Sequence, residues 1–209
     1  MRASTLYDLL APAYGRVLGP VLESANQRAA ERVLGGAPGS VLEIGVGPGQ
    51  ALTELATRAR RVVGLDVSGA MLRRAAARIA GDQRRAALVR GDGLSLPFAS
   101  ETFEAVMSTF LLDLLPDDQQ RPMVGELARV LAPGGRAVLG MLELPNPLLS
   151  RAWMAVYRIA PDALGGVRPV DLSTSLAGQH LRVARDERLD GWLTTRILTL
   201  VKVGGPGSA

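Results

Sequence analysis

The chain has 209 residues, of which 47% are hydrophobic and 21% charged, and it contains no cysteine. This length and composition predict one globular domain with a full hydrophobic core and exclude a disordered chain. The absence of cysteine excludes disulfides and thiolate metal sites, and it is typical of a cytoplasmic protein. No apolar run approaches the roughly 20 residues that a membrane-spanning helix needs, and residues 204–209 are expected to form a flexible tail.

The charge balance is basic, with a formal net charge of +4 and a sequence pI of about 10.3. Nearly all the positive charge is arginine, because Lys202 is the only lysine. Arginine pairs well with phosphate, so nucleic acid or an anionic membrane surface is a conceivable partner. The arginines are spread along the chain, which fits solvated helix faces equally well.

An apolar stripe at helical spacing runs through residues 6–22 and predicts a helical cap over residues 1–35. Pro12, Gly15 and the pair Gly19-Pro20 divide it into short pieces, and a proline can begin a helix.

The next feature is a short apolar strand that runs into glycines. Val41–Ile44 is followed by Gly45, Gly47 and Gly49 at alternate positions, and a helix is expected from about Gln50 or Ala51. A backbone without Cβ atoms lets a ligand approach closely, and a helix start offers free N–H groups. The spacing differs from the dinucleotide pattern, and a plain tight connection is the alternative.

Strands and helices then alternate. We predict four further strands, a strand pair at the end and two amphipathic helices. The strands are Val62–Leu65, Ala86–Val89, Phe103–Met107, Arg136–Leu142, Leu181–Ala184 and Thr195–Val203, and the helices are Ser68–Ile79 and Gln119–Leu131. Five β–α units predict a parallel sheet with helices on both faces, and such sheets bind ligands at the carboxyl ends of the strands.

Acidic residues stand at that edge. Asp66 ends the second strand, where a carboxylate can accept both hydroxyls of a ribose. Asp92-Gly93 follows the third strand, where a carboxylate beside a free N–H can read an adenine edge. Either acid could instead be a helix cap or a turn residue, but acids at consecutive strand ends favour a nucleoside site.

Four segments together resemble class I S-adenosylmethionine-dependent methyltransferases, in the quinone-biosynthesis-like ("type 11") group. They read VLEIGVGPG, VVGLDVS, GDGLSLPF and ELARVLAPGGR. The resemblance implies an enzyme that uses S-adenosyl-L-methionine. It also implies an α/β, Rossmann-like, doubly wound sheet of seven mostly parallel strands, with the last strand antiparallel.

The resemblance also implies roles for residues of the core. Gly45, Gly47 and Gly49 would line the methionine part of the cofactor, and Glu43 would orient it through its amino group or a water. Asp66 would hold the ribose and Val67 would pack on adenine. The remaining implied cofactor residues are Asp92 and Gly93 at adenine and Ser108 and Thr109 near the sulfonium.

The domain plan follows from the same resemblance. We expect one methyltransferase domain over residues 1–203, with the cofactor-binding core at 40–140 and a substrate-cap insertion at 145–170.

No metal site is expected, since the one histidine, His180, is interpreted as structural. No nucleic-acid partner is expected either, because Ser108-Thr109-Phe110-Leu111 replaces the Asn/Asp-Pro-Pro-Tyr/Phe motif of base-methylating enzymes.

Residues 148–160 form a second apolar stripe, flanked by Arg151 and Arg158. It either packs on the core or touches lipid, with Trp153 and Tyr157 at the level of the headgroups. Peripheral contact with the inner membrane surface is therefore an expectation.

The opening Tyr7-Asp8-x-x-Ala11-Pro12-x-Tyr14 resembles bacterial phospholipid N-methyltransferases and quinone methyltransferases, although Gly15 stands where those families usually have aspartate. An amine on an anionic headgroup needs an acid or tyrosine for the ammonium and a cation for the phosphate. The candidates for the first role are the predicted catalytic residues Tyr7, Tyr14 and Asp113. The candidates for the second role are Arg151 and Arg168, and Trp153 is a further predicted substrate contact. Asp113 could instead cap the turn before Pro116, and Tyr14 could pack in the core.

We therefore hypothesise methylation of a phospholipid amine such as phosphatidylethanolamine. The alternative is C- or O-methylation of a quinone-like or other apolar small molecule. A cofactor-binding regulator without turnover has the same fold, and the sequence makes no prediction of oligomeric state.

Overall fold

A computed structural model describes residue 19 and residues 21–80, 86–164, 166–191 and 193–204. Strands alternate with helices for most of this length. The strands are β1 (Ser40–Ile44), β2 (Arg61–Asp66), β3 (Ala86–Arg90), β4 (Phe103–Thr109), β5 (Leu131–Glu143), β6 (Leu181–Leu189) and β7 (Thr194–Lys202). The helices are α1 (21–34), α2 (Leu52–Arg58), α3 (Gly69–Arg78), α4 (Asp117–Val130), α5 (Pro147–Ile159) and α6 (Ser173–Leu176). Two 3₁₀ turns cover Leu112–Leu114 and Pro161–Leu164.

The strands form one seven-stranded sheet in the order β3-β2-β1-β4-β5-β7-β6. β7 pairs antiparallel with both of its neighbours, and the other pairs are parallel. The predicted α/β fold, with its antiparallel last strand, is confirmed.

Alternate residues of the central strand β1 face opposite layers of helices, as the two-residue period of a strand requires. Val41 packs with the small residues of α1, among them Ala25 and Ala29, and with α2 and α3. Leu42 and Ile44 point the other way, towards α4. Because the residues of both clusters are buried, packing on the two faces of the sheet fixes the position of β1 and of the turn that follows it.

The expectation of five β–α units is wrong at one connection. Residues 91–102, between β3 and β4, contain no helix. The segment instead covers the end of the sheet with Leu96 and Phe98, and Phe98 meets Phe103 edge to face at 5.1 Å between ring centroids. Short apolar contacts replace a helix there.

β5 begins five residues earlier than predicted, directly after α4. Phe103 pairs with Leu131 and Ala105 with Arg136, so the intervening Pro133-Gly134-Gly135 is accommodated as an irregularity in the pairing. Gly134 has a φ of +71°, which glycine adopts without steric cost. The predicted stop is therefore a bulge within the strand.

No helix in the described part of the chain is long and apolar enough to cross a membrane. The predicted domain boundaries stay a prediction. Residues 1–18 of the expected cap and most of the expected tail lie outside the described residues.

Arg129 on α4 anchors the β3–β4 connection. Its Nη1 donates to the carbonyl of Phe98 at 2.8 Å and its Nη2 to that of Leu96 at 3.0 Å. The same guanidinium lies 2.6 Å from Glu126, which in turn accepts the Leu96 N–H at 2.7 Å. This pairing lowers the pKa of Glu126.

Replacing Arg129 by lysine should lower the free energy of unfolding by about 1–3 kcal/mol, because one ammonium cannot serve both carbonyls and the carboxylate. Urea unfolding followed by circular dichroism measures the change. The matched control is Arg58→Lys, whose exposed contact with Glu54 spans 3.7 Å and should contribute at most about 0.5 kcal/mol. Equal urea midpoints for the two variants would show that the anchor contributes no stability.

Candidate functional site

The glycine turn after β1 has the open backbone that a close ligand needs. Gly45 has a φ of +75° and Gly47 a φ of +52°, a region that favours glycine. Gly45 is held in place because its N–H and that of Val46 both donate to the carbonyl of Leu65, at 2.8 and 3.0 Å. Gly45 and Gly47 both line the cleft at this edge of the sheet.

Asp66, at the end of β2, fixes the shape of that turn. Its Oδ2 accepts the Gly47 N–H at 2.9 Å and its Oδ1 accepts the Ser68 N–H at 2.8 Å. A carboxylate offers about four lone-pair sites, so each oxygen keeps one for a ligand hydroxyl. Ser68 caps α3 by accepting the Met71 N–H at 3.3 Å, which sets the direction of the helix behind the turn.

A cavity of about 310 Å³ lies beside Asp66, between the ends of β1, β2 and β3. Its walls are apolar at Leu65, Val67 and Met123, and Asp92 and Gly93 close one end. The Asp92 Oδ1 accepts the Leu94 N–H at 2.9 Å, so this carboxylate is also the turn residue that the sequence left open. The combination of apolar walls with the Asp92 carboxylate at one end suits a purine base, and Asp66 remains for the attached ribose.

A second cavity, of about 380 Å³, lies on the other side of Gly45 and extends to Thr109 and Phe110. Glu43 lines it although the residue is only 3% exposed, and its Oε2 has no hydrogen-bond partner. Burial, and next the nearby charge of Asp66, raises the pKa of Glu43 to about 8. A buried carboxyl with an unused oxygen is a site for a ligand cation or donor.

Two predicted cofactor residues lie behind the cavities and not in their walls. Gly49 is buried against α3, where a Cβ would come within 3.0 Å of the Cα of Ala75. Ser108 is buried and donates to the carbonyl of Ile44 at 3.1 Å. Both positions hold β1 and α3 in place, whereas Thr109, next along β4, does line the second cavity.

Asn26 of α1 is a site residue that the sequence analysis missed. Its Oδ1 accepts the Thr109 hydroxyl at 2.6 Å and its Nδ2 donates to the Gln50 side chain at 3.1 Å. It therefore links α1 to the end of β4 and to the glycine turn, at the rim of the second cavity. The available signal was a polar residue within the buried small-residue face of the helix.

Two of the predicted acceptor residues, Asp113 and Arg168, lie next to each other, since the Arg168 N–H donates to the Asp113 carbonyl at 3.2 Å. Asp113 is fully buried, and its Oδ2 accepts the Leu142 N–H at 3.0 Å. Burial raises the pKa of Asp113 well above its usual range. Arg168 donates to the carbonyl of Leu115 at 2.8 Å and contacts Asp117 at 2.6 Å. Neither residue lines the two cavities described above.

The other acceptor candidates divide between α5 and the undescribed start of the chain. Trp153 donates its Nε1–H to the carbonyl of Val167 at 3.0 Å and lines a narrow apolar pocket. Arg151 is exposed on the same helix. Tyr7 and Tyr14 lie outside the described residues.

Comparisons with known proteins agree with this geometry. Residues 41–135 match the family model described as "Methyltransferase domain". The demethylmenaquinone methyltransferase of Clavibacter sepedonicus is 30% identical over 92% of this chain and 80% of that protein. The phosphatidylethanolamine N-methyltransferase of Cereibacter sphaeroides is 36% identical over 60% of this chain and 61% of that protein.

Among solved structures, the N-methyltransferase NodS from Bradyrhizobium japonicum WM9 in complex with S-adenosyl-L-homocysteine shares the fold. Its TM-score is 0.67 at 21% identity, over 85% of each chain. The chain therefore belongs to the class I S-adenosylmethionine-dependent methyltransferases, in the group that includes the quinone-biosynthesis enzymes. It is an enzyme whose cofactor is S-adenosyl-L-methionine.

The residues present fit that cofactor. The first cavity has the apolar walls and carboxylate for adenine, and Asp66 has free lone pairs for the ribose. The glycine turn and the unpartnered Glu43 oxygen remain for the methionine end, with its ammonium group. We propose these assignments for the individual residues.

Glu43 should make stability depend on pH in a defined direction. Its pKa is raised from 4.5 to about 8 in the folded chain, so between those values the folded state holds a proton that the unfolded state has lost. Stability must then fall as pH rises through this window. Urea unfolding of the cofactor-free protein should show Glu43→Gln gaining stability over wild type from pH 5 to pH 8, with weaker cofactor binding. A difference that stays constant with pH would contradict the assignment.

Alanine substitutions at Gly47 and Gly49 should distinguish a glycine needed for cofactor binding from a glycine needed for stability. Gly47→Ala adds a Cβ whose nearest neighbour is 4.0 Å away, so it costs about 1–2 kcal/mol of backbone strain and weakens binding of S-adenosylhomocysteine at the cavity wall. Gly49→Ala adds the collision with Ala75 and should destabilise the fold more. Urea unfolding and calorimetric titration of both variants test this, and a larger stability loss at Gly47 would reverse the assignment.

Proposed function

We propose that this enzyme transfers a methyl group to an apolar, quinone-like ring. The observation that carries the proposal is the wall of the second cavity beyond Thr109. The wall consists of Leu22, Phe110, Leu114 and Val167. Three of these residues also border a narrow pocket of about 20 Å³ that Trp153 and Leu193 close. An acceptor entering from this side meets hydrocarbon and aromatic surface.

The polar groups support the same acceptor. Glu43 and Asp66 are the two carboxylates among the described residues that line the second cavity, and both belong to the cofactor half of the site. Asp113 lines neither cavity: its Oδ2 accepts the Leu142 N–H, and its Oδ1 is buried without a hydrogen-bond partner. Among the described residues, the acceptor side of the second cavity therefore presents no carboxylate to an ammonium. A relative that spans 92% of this chain, from Clavibacter sepedonicus, is a demethylmenaquinone methyltransferase.

The chemistry then needs little from the protein. S-adenosylmethionine supplies a methyl group that is already activated on a sulfonium. The ring carbon takes this methyl and releases its hydrogen as a proton. The residues of the second cavity orient the ring and exclude water, which are the main contributions a protein makes to such a displacement.

Phosphatidylethanolamine is the second candidate acceptor, and it is the one that the sequence analysis favoured. It is supported by the likeness to the Cereibacter sphaeroides enzyme and by the Tyr7–Tyr14 segment. The described lining of the second cavity contains no tyrosine. An amine acceptor would therefore need the hydroxyl groups of Tyr7 and Tyr14 near its ammonium. Both candidates dissolve in bilayers, so peripheral membrane contact belongs to either proposal.

Transfer of a labelled methyl group from S-adenosylmethionine distinguishes the two acceptors. We expect turnover with a short-tailed demethylnaphthoquinol and none with short-chain phosphatidylethanolamine. Trp153→Ala should raise KM for the quinol at least severalfold while the affinity for S-adenosylhomocysteine stays the same, because Trp153 lines the apolar pocket. Val183→Ala, on exposed β6, is the matched control.

Turnover with the phospholipid alone would identify the amine headgroup, and not the quinol ring, as the methyl acceptor. Equal KM values for Trp153→Ala and wild type would show that the apolar pocket does not bind the acceptor. Binding of S-adenosylhomocysteine with no product from either acceptor would exclude both candidate acceptors.

A further inference from the structure

Helix α5 presents its less apolar side to the protein. Asn146 caps its start by accepting the Leu148 and Leu149 N–H groups at 2.9 and 3.2 Å. The partly buried residues of the helix, Ser150, Trp153, Met154 and Tyr157, recur at helical spacing on one face. The Trp153 hydrogen bond to Val167 holds this face against the acceptor pocket. Trp153 and Tyr157 are both partly buried on this face, so of the two alternatives left open by the sequence, packing on the protein applies to these two side chains.

The opposite face of α5 is apolar and exposed. Leu148 is 76% exposed and Ile159 is 87% exposed, and these two lie within about 20° of each other around the helix. Val156 and Leu149, both more than 40% exposed, extend the same face. Most exposed large side chains stand singly on a protein surface, so four on one helix face indicate an interaction site.

The charges beside this face have one sign. Arg151 and Arg158 are exposed along one of its borders, and the helix sequence contains no aspartate or glutamate. A helix with an exposed apolar face bordered by arginines has the composition of an interfacial helix, which lies in the plane of an anionic bilayer. Basic amphipathic helices of this kind are typical of proteins that bind at a membrane surface.

We propose that α5 docks on an anionic lipid bilayer through Leu148, Leu149, Val156 and Ile159, with Arg151 and Arg158 on the phosphates. The inference rests on the proposed function in one respect, namely that the acceptor is dissolved in the membrane. Because Trp153 on the inner face of α5 lines the apolar pocket, docking places that pocket directly behind the membrane-bound helix. The acceptor then reaches the pocket from the bilayer without crossing water.

The absence of cysteine allows a direct test. A single cysteine at Ile159→Cys, carrying an environment-sensitive dye, should shift its emission to the blue with vesicles of equal parts phosphatidylcholine and phosphatidylglycerol. The matched control is Val183→Cys, a 45% exposed apolar position on β6, which should not shift. Pure phosphatidylcholine vesicles should give little signal at either position.

Vesicle co-sedimentation of the full chain tests the arginines. Arg151→Ala and Arg158→Ala should each weaken binding to anionic vesicles about fivefold, from about 1 kcal/mol per basic residue near the surface. The loss should vanish at high salt, where the Debye length is short. Ile159→Glu should reduce binding at both salt concentrations, because it places a charge in the apolar face.

Three results would overturn the proposal. They are no shift at residue 159, equal shifts at 159 and 183, and a shift at 159 that grows with protein concentration without vesicles, which would assign the face to a second copy of the chain. All measurements are made without cofactor or acceptor. Their failure would therefore leave the methyl-transfer assays unaffected, and a failed assay would leave the docking result standing.

Discussion

The site depends on one carboxylate bonded to two backbone amides. Asp66 accepts the N–H groups of Gly47 and Ser68, and so joins the turn after β1 to the start of α3. Because hydrogen bonds to an ionised acceptor are among the stronger ones, this pair of bonds fixes both the open glycine backbone and the helix behind it. The ligand-facing lone pairs of Asp66 are positioned by the same contacts.

This arrangement has an electrostatic cost at Glu43. The parallel pairing of β1 with β2 sets Glu43 opposite Gly64, two residues before Asp66, so a buried carboxyl stands close to a second carboxylate. Both burial and this neighbour disfavour ionisation of Glu43. A cationic ligand group that supplied the missing partner would offset this cost, which is the role that we propose for the ammonium group of the cofactor.

The features that were predictable from the sequence are those set by local pattern. Apolar runs ending in Gly45 or Asp66 located the carboxyl edge of the sheet, because parallel strands bring all such ends together. The roles of Gly49, Ser108 and Asp113 depend on which neighbour each side chain meets after folding. That neighbour is Ala75 for Gly49, the carbonyl of Ile44 for Ser108 and the amide of Leu142 for Asp113.

The role of Asn26 could not be predicted from the sequence for the same reason. Its hydrogen bonds to Thr109 and Gln50 join residues 83 and 24 positions away in sequence, and no local pattern reports such contacts. For α5 the helical period was correct, but a period defines an apolar face without saying which way it points. Trp153 lies on the side that faces the protein, where its N–H donates to the Val167 carbonyl, and the aliphatic side of the helix faces solvent.

The two halves of the site are therefore built by different parts of the chain. The proposed cofactor half comes from β1 to β4, where the pairing register and the hydrogen bonds of the glycine turn fix the position of each residue. The proposed acceptor half comes from α1, from the residues that follow β4 and from the segment between β5 and β6, and its contacts are mostly apolar and less directional. Side chains there can change size while the strand register stays the same. The acceptor therefore has to be argued from cavity walls such as Trp153 and Val167.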